Sequence, residues 1–588
     1  MNKKTIFILF FFLVSVYYNN SRQRRIDWDV FGYYLYLPAH FIHHDITLEE
    51  KDKWLTPLIA KYNATDNLYQ AYQGPKDKYV MKYTMGLSFI YAPFFFIADF
   101  LAPKLGYERD GLSPPYQFLM MICAILFSLI GIYYLFKILS LYFDPSIVLT
   151  TVAFFVFGTN YFVMTAFDGL MPHNFIFTFF AIMLYTSIKW YEEQKVKYAI
   201  VIGLCLGISV LIRPTSIVVG IIPLLWNVES FSAFKNRASL LIKKFPHLLF
   251  LGMAAFIVAL PQLAYWKSVT GEWLFYSYPD EKVNLLQPHL INVLFSYKKG
   301  WLVYTPLIIF AIIGFVTLYK KHRALFVPIF LFFLINTYII SCWDCWWYGG
   351  SFAQRPFVES YVFMVFPFAT LVASISLKKY TIIIPALAIG LFCVYLNLFQ
   401  TRQALNGVLH TSLTTKEYYW RVFLKNEATE EDKRWLAPSQ YGDEKDALKA
   451  TVQYKTIYSA NLLLDEYAAN LSANNVFSKS ILTPTNLGYD ASDKYLVPAI
   501  TIDTNNTNSS ADLVAHLVVC INKNGKLYEY RSHDFSFNDF KNNGGSGQMS
   551  VLVPPQVNDK NFELKSYVYI DGNAKMKLTS FKVNVLSK

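Results

Sequence analysis

Two aspartates follow directly on the first apolar run of the chain. They lie in RRIDWDVFGYYLYLPAHF, where Asp27 and Asp29 precede Gly32, Tyr33 and Tyr34. Ionisable residues at a membrane border are costly to keep there and tend to be functional. A carboxylate flanked by aromatic rings at such a border can accept the proton of an attacking hydroxyl, which is general-base work in group transfer. The same acids also fit a solvated loop start that balances Arg24 and Arg25.

Three more groups could do chemistry. FDGLMPHN sets Asp168, His173 and Asn174 between two apolar runs. It reads as a proton relay or sugar-binding loop, or as a capped helix junction, since Asp and Asn commonly start helices. VLIRPTS interrupts an apolar stretch with Arg213 and Pro214. An arginine at that depth must be paired or face a polar cavity. Its planar fork matches phosphate oxygens; snorkelling from a helix end is the plainer account. The segments YWKSVTGEWLFYSYPDEKV, LFSYKKGWLVYTP and CWDCWWYGGSFAQRPFVES carry Lys298, Lys299 and Arg355 among Tyr276, Tyr278, Trp346, Trp347 and Tyr348. Aromatic faces stack on sugars and cations hold phosphates. Gly349 and Gly350 let backbone approach a ligand closely. An interfacial aromatic belt has the same composition, and Arg355 and Glu359, four apart, are spaced to pair on a helix. His43, His44 and Asp45 cluster without the spacing of a metal motif, so no metal is expected.

The elements that must position these residues are membrane helices. Of 588 residues, 54% are hydrophobic, 18% aromatic and only 16% charged, with a mean hydropathy of +0.29. Apolar runs of about 20 residues separated by short polar loops span bilayers. They fall at 4–18, 84–101, 116–136, 147–167, 174–190, 198–212, 214–227, 246–265, 302–318, 324–341, 357–376 and 380–398. The net charge of +12 is concentrated in short clusters such as YKKHR at 319–323 and LKKY at 377–380. That pattern marks cytoplasmic loops rather than a nucleic-acid surface.

Loops 191–197, 228–245, 319–323 and 377–380 are therefore expected inside, and 168–173, 266–301, 342–356 and everything after 399 outside. The first run lacks a small-residue cleavage site and reads as an uncleaved helix, although Arg22, Arg24 and Arg25 oppose an N-inside orientation. If 84–101 crosses fully, the long first loop and the later outer loops fall on opposite sides. One early segment is accordingly expected to be re-entrant, broken or interfacial. Cys123, Cys205 and Cys393 lie in apolar runs as small hydrophobes; Cys342 and Cys345 form CWDC, as a disulfide or a free pair.

After residue 400 a polar helical connector, 401–450, leads into a β-rich segment, 451–588. LVAHLVVCINKNGKLYEYRS reads strand, turn, strand about Asn524-Gly525, and KSYVYIDGNAKMKLTSFKVNVL reads the same way about Asp571-Gly572. Several short strands suggest a small β-sandwich, with Tyr528, Tyr530, Tyr567 and Tyr569 as packing residues.

The four features, in this order, resemble the GT-C superfamily of integral-membrane glycosyltransferases, which includes the protein O-mannosyltransferases and the lipid A aminoarabinose transferase. DVFGYYLYLPA, DGLSPPYQF and WWYGGSFAQRPFVE look like a branch common in Bacteroidetes-type bacteria. The resemblance covers about 1–400. It implies a polytopic helical domain of about 11–13 transmembrane helices with the long first outer loop at 19–83, in a bacterial inner membrane; the loop charges then put the β-rich domain, which the resemblance does not cover, on the periplasmic side. It implies a polyprenyl-phosphate sugar as donor, no cofactor, and a glycan, lipid or protein as acceptor.

In that family Asp29 takes the position of the catalytic carboxylate, with Asp27 as the near alternative, because DWDV stands where many relatives have DE or DEA. Asp168 and His173 match a second polar outer loop. Arg213, after the glycine-rich GLCLGISVLIRP, would face the carrier phosphate. The expected reaction is an inverting displacement in which Asp29 accepts the acceptor's proton. Arg213, with Lys298, Lys299 or Arg355, stabilises the departing phosphate. A flippase for lipid-linked glycans predicts internal helix repeats, and none is visible. A non-catalytic scaffold predicts that the outer-loop acids are dispensable.

Overall fold

The apolar runs become helices whose ends carry the polar punctuation. The computed structural model describes residues 3–20, 25–65, 68–75, 78–278, 281–433, 435–436, 455–464, 469–472, 476–485, 494–505, 507, 514–553, 557, 561–570 and 575–587. The chain divides into two compact units, Met1–Ser412 and Leu413–Lys588. Arg22 and Arg24 lie outside the described residues.

In the first unit α1 (Lys3–Asn20) leads to short helices α2 (Trp28–Tyr34), α3 (Tyr36–Phe41) and α4 (Lys51–Tyr62). The paired strands β1 (Ala71–Gln73) and β2 (Tyr79–Met81) and helix α5 (Gly86–Leu101) follow. The longer helices are α6 (Pro114–Leu139), α7 (Pro145–Gly158), α8 (Tyr161–Ala166), α9 (Pro172–Glu193) and α10 (Val196–Ile212). After a 3-10 turn, Pro214–Gly220, come α11 (Ile221–Leu225), α12 (Phe231–Lys243) and α13 (Phe245–Thr270). The unit ends with α14 (Leu290–Phe295), α15 (Trp301–Tyr304), α16 (Leu307–Lys321), α17 (Arg323–Ser341), the 3-10 turn Arg355–Ser360, α18 (Tyr361–Ile375) and α19 (Tyr380–Leu405).

Five helical stretches among the described residues are long and apolar enough to cross a membrane: Pro114–Leu139, Phe245–Thr270, Arg323–Ser341, Arg355–Ile375 and Tyr380–Leu405. The chain is a multi-pass membrane protein. Helices pack closely where side chains vanish: a Cβ on Gly207 of α10 would lie 2.7 Å from the Cα of Ala255 in α13, and one on Gly203 would run into the Leu251 carbonyl. Small residues four apart are how membrane helices bring backbones together.

Four apolar runs do not become single α-helices: 302–318 divides into α15 and α16, 357–376 opens as the 3-10 turn before α18, and 147–167 and 214–227 are the other two. The 147–167 run breaks at Thr159 and Asn160, where Asn160 Oδ1 accepts from the Tyr361 hydroxyl (2.6 Å) and its Nδ2 donates to the Gln354 carbonyl (3.2 Å). The 214–227 run opens as a 3-10 turn, because Pro214 cannot donate to the helix before it.

Helix α5 settles the early topology. At its start, Met85 N–H donates to Gln262 Oε1 (2.8 Å) and Gly86 abuts Ile212, both at the loop-facing ends of α13 and α10. At its other end, Asp99 accepts from the Tyr116 hydroxyl (2.7 Å) in the first turn of α6. Gln117 in that turn accepts from the N–H groups of Arg25 and Ile26, just after α1. Both ends of α5 thus stay on the side where α1 arrives and α6 departs. The long first loop therefore lies on one side, and α9, α16 and α18 run from that side toward the lysine-bearing loops while α10, α13, α17 and α19 run back.

The second unit holds α20 (Lys416–Val422), α21 (Glu430–Lys433) and strands β3 (Lys455–Asn461), β4 (Asn470–Leu471), β5 (Ile481–Thr483), β6 (Lys494–Ile502), β7 (Val514–Lys523), β8 (Lys526–Ser536), β9 (Ser546–Gln548), β10 (Val551–Leu552), β11 (Phe562–Ile570) and β12 (Met576–Ser587). They form two antiparallel sheets, one ordered β10-β6-β12-β3 with β4 and β9 at its margins, the other β5-β11-β7-β8. Leu496, Ile500 and Val583 of the first sheet share a core with Leu517, Val519 and Val568 of the second. β7 and β8 form the expected hairpin, with Asn524 and Gly525 both at positive φ. β11 and β12 do not form one. They pair in different sheets because their inward residues fill the core from opposite sides. Asp571 and Gly572 lie outside the described residues. Tyr567 and Tyr569 are half-buried on the outer face, where the Tyr569 ring stacks on His516 at 4.2 Å.

Candidate functional site

Asp29 sits in the first turn of α2, aimed by an uncommon backbone. Trp28 before it has φ +46°, a left-handed conformation that a bulky side chain rarely takes. Trp28 is held there by its N–H on the Ala64 carbonyl (2.9 Å) and its own carbonyl under Gln70 Nε2 (3.1 Å). The Asp29 Oδ1 accepts from the hydroxyls of Tyr83 (2.7 Å) and Tyr69 (2.8 Å), and Oδ2 accepts from Arg355 (2.8 Å). Burial alone would raise its pKa. The Arg355 charge and the hydroxyl donors outweigh that and hold it below the ordinary carboxylate range. Gly32 makes room for the Tyr83 ring, because a Cβ there would fall 2.7 Å from Tyr83 Cε2.

A second ion pair lies beside the first. Glu359 Oε1 accepts from Arg213 (2.8 Å), at the end of α10, and lies 2.9 Å from Nδ1 of His173, in the first turn of α9. The Arg213 guanidinium lies 5.7 Å from the centre of the Tyr348 ring. The spacing of Arg355 and Glu359 suggested that they pair with each other. Instead each reaches across the unit, Arg355 to Asp29 and Glu359 to Arg213, because the segment carrying them is a 3-10 turn rather than an α-helix. Tyr33 joins the two pairs. Its ring packs on Tyr83 at 4.5 Å, and its hydroxyl, pushed up by burial, feels Arg213, Asp29 and Arg355.

The lysines form a third group. Lys299 is 1% exposed, and its Nζ meets the Ser351 hydroxyl at 3.3 Å. Lys298 sits 3.9 Å from the Trp347 ring centre. Burial, and then the charges of Arg355 and Lys298, hold the Lys299 amine well below its ordinary pKa. The loop before Arg355 is strained, with positive φ at Tyr348 and Ala353, and such strain gathers at functional sites.

The other expected residues are placed around these groups. Tyr34 is fully buried and its hydroxyl donates to the Gly111 carbonyl (2.6 Å), a packing role. Asp27 precedes α2 without capping it through its side chain. Asp168 lies in the turn between α8 and α9, among the charges that act on Lys299. Asp45 receives the N–H groups of Glu49 and Glu50 and the Trp54 indole, and His43 stacks on Trp54 at 4.0 Å, so this cluster braces the start of α4. Cys342 and Cys345 are free thiols. Tyr69, Tyr83 and Glu359 as a partner of Arg213 escaped the sequence reading, since no local spacing links them to Asp29 or Arg213.

Residues 116–266 match the family model of the dolichyl-phosphate-mannose-protein mannosyltransferases. The matched stretch contains Asp168, His173 and Arg213 but not Asp29, Lys298, Lys299 or Arg355. The match supports the resemblance to GT-C glycosyltransferases. Among solved structures, the archaeal oligosaccharyltransferase AglB from Archaeoglobus fulgidus, in complex with an inhibitory peptide and a dolichol-phosphate, is similar at a TM-score of 0.43 and 12% identity. That likeness covers 74% of this chain and 59% of the archaeal one, so this chain spans less than two thirds of its length. No curated protein sequence matches.

Proposed function

We propose that the helical unit transfers a sugar, a hexose or pentose, from a polyprenyl-phosphate donor to a glycan, lipid or protein acceptor. The observation that carries this reading is the carboxylate of Asp29, held ionised by Arg355, Tyr69 and Tyr83 beside a second buried arginine. The family match over 116–266 supports it. The site lies at the helix ends opposite the lysine-bearing loops. By the positive-inside tendency that is the outer face of the membrane, and in a bacterium the inner membrane's periplasmic side.

The acceptor oxygen bonds to the anomeric carbon as the bond from that carbon to the phosphate oxygen breaks. The electron pair leaves on the phosphate, and the hydroxyl proton passes to Asp29. Attack from the face opposite the leaving group inverts the anomeric centre. A carboxylate held below its ordinary pKa is a weak base for a resting hydroxyl. It accepts the proton late, when bond formation has made the attacking oxygen acidic. The arginines each already hold a carboxylate, so the phosphate finds its countercharge at Lys298 and Lys299, with Arg213 and Arg355 shaping the field around it. Tyr33, Trp347 and Tyr348 offer ring faces for the sugar.

The test is release of undecaprenyl phosphate from a panel of synthetic undecaprenyl-phosphate sugars, with a cell-envelope extract as acceptor. Release with one donor identifies it. Absence of release with every hexose and pentose donor would overturn the reading.

A further inference from the structure

Lys299 is anomalous for a buried charge. A lysine this deeply buried is ordinarily paired, because an isolated ammonium in a low-dielectric interior is costly. Here its Nζ has a single neutral partner, the Ser351 hydroxyl at 3.3 Å, and among the described residues no carboxylate pairs with it. The groups that face it come from four directions. Lys298 is its chain neighbour, Arg355 opens the 3-10 turn before α18, the neutral thiol of Cys345 comes from the loop after α17, and Asp168 lies in the α8–α9 turn. His410, beyond α19, is a fifth neighbour, its pKa lowered first by burial. Lys298 and Arg355, the latter already bonded to Asp29, therefore face Lys299 together with Asp168, and none of the described carboxylates is bonded to its amine.

We propose that Lys299 rests uncharged in the empty site and takes up one proton from solvent when the donor's phosphate arrives, so that phosphate binding and protonation are one event. This rests on the donor reading above and deepens it. The uncharged amine spares the ligand-free enzyme a further buried cation beside Lys298 and the Asp29-bound Arg355. Once a phosphate lies against it, the ammonium is the favoured form, since an opposite charge within a few ångströms favours ionisation. Transfer turns the phosphodiester into a phosphomonoester and adds a negative charge, which the ammonium meets where it develops. Release of the polyprenyl phosphate returns the proton to solvent. The balance closes with protons alone.

The experiment is calorimetric titration of the full-length protein in detergent with undecaprenyl phosphate, in two buffers of different ionisation enthalpy. At about pH 8.5 the probe is already a dianion, since a phosphomonoester's second pKa is about 6. A proton taken up there belongs to the protein. Wild type is expected to take up close to one proton per probe bound. Lys299→Met is expected to bind about 10-fold to 100-fold more weakly, the worth of a hydrogen bond to a charged group, with no uptake. Lys299→Arg, always charged, is expected to bind with no uptake and shows that the fold survives. Binding by wild type without proton uptake, or uptake that persists in Lys299→Met, overturns this inference and leaves the donor reading standing. No binding by wild type overturns the donor reading and this inference with it.

Discussion

The pairing of Glu359 is the most distinctive contact of the site, and it separates the folded arrangement from what the spacing suggests. Glu359 Oε1 receives Arg213 at 2.8 Å, with side-chain exposures of 10% for Glu359 and 18% for Arg213. At that distance two unit charges attract by about 6 kcal/mol with an effective dielectric of ~20, which bounds the pair from above. Breaking one side of a buried pair costs about 3–5 kcal/mol. Glu359→Gln keeps an acceptor and sits at the low end of that range; Arg213→Met leaves Glu359 buried with only His173 and sits higher. If the pair is as described, the double variant is less destabilised than the two singles summed, by about 3 kcal/mol. The cycle of Glu359→Gln with Arg355→Met should couple by less than about 1 kcal/mol, since those residues bond elsewhere. The assay is equilibrium unfolding of purified variants in mixed micelles. Additivity in the Arg213 cycle, or strong coupling in the Arg355 cycle, would refute the pairing across the helical unit and restore the four-residue pair along the chain.

Gly32→Ala should cost at least about 1–3 kcal/mol of stability, as overpacking does, and should lower transfer more than it lowers folded protein, because the displaced Tyr83 no longer holds Asp29; transfer per folded molecule reads this. Trp347→Ala removes the ring over Lys298 and should raise the donor KM by about 2-fold to 30-fold, the reach of a cation–π contact, with kcat little changed. Lys299→Met should make the ligand-free protein melt higher than wild type at neutral pH. The sign follows from the lowered folded pKa of Lys299. The unfolded chain binds a proton there that the folded one does not, so this group's contribution rises with pH from its folded pKa to the ordinary lysine value of about 10.4 and the gap closes on that approach. A melting curve for Lys299→Met that lies below wild type at neutral pH would show the amine paired and charged.

Asp29 could be read from the sequence because a carboxylate directly after a membrane helix is a local signal. Arg213 could be read for the same reason, as a charge interrupting an apolar run. Their partners could not. Tyr69 and Tyr83 lie 40 and 54 residues beyond Asp29, and Arg355 lies 326 beyond it, so only tertiary packing brings them together. The i,i+4 spacing of Arg355 and Glu359 allows a pair only on an α-helix, and a 3-10 turn rotates residues four apart onto different faces. The hydropathy of α5 shows an apolar segment without showing that both its ends stay on one side, since composition carries no direction. In the second unit the Asn524-Gly525 turn was legible because two positive-φ residues there demand it. The crossing from β11 to β12 was not, because alternation along a strand says which face is buried and not which sheet the strand joins.

The central claim is that the ionised Asp29 drives sugar transfer. It is tested most directly by single-turnover transfer with the donor found in the panel, comparing wild type with Asp29→Asn, both checked by binding of undecaprenyl phosphate. The account predicts that Asp29→Asn binds the carrier within a few-fold of wild type while transfer falls by about 100-fold or more, the scale of a positioned general base. Full turnover by a folded Asp29→Asn that binds the carrier would contradict it.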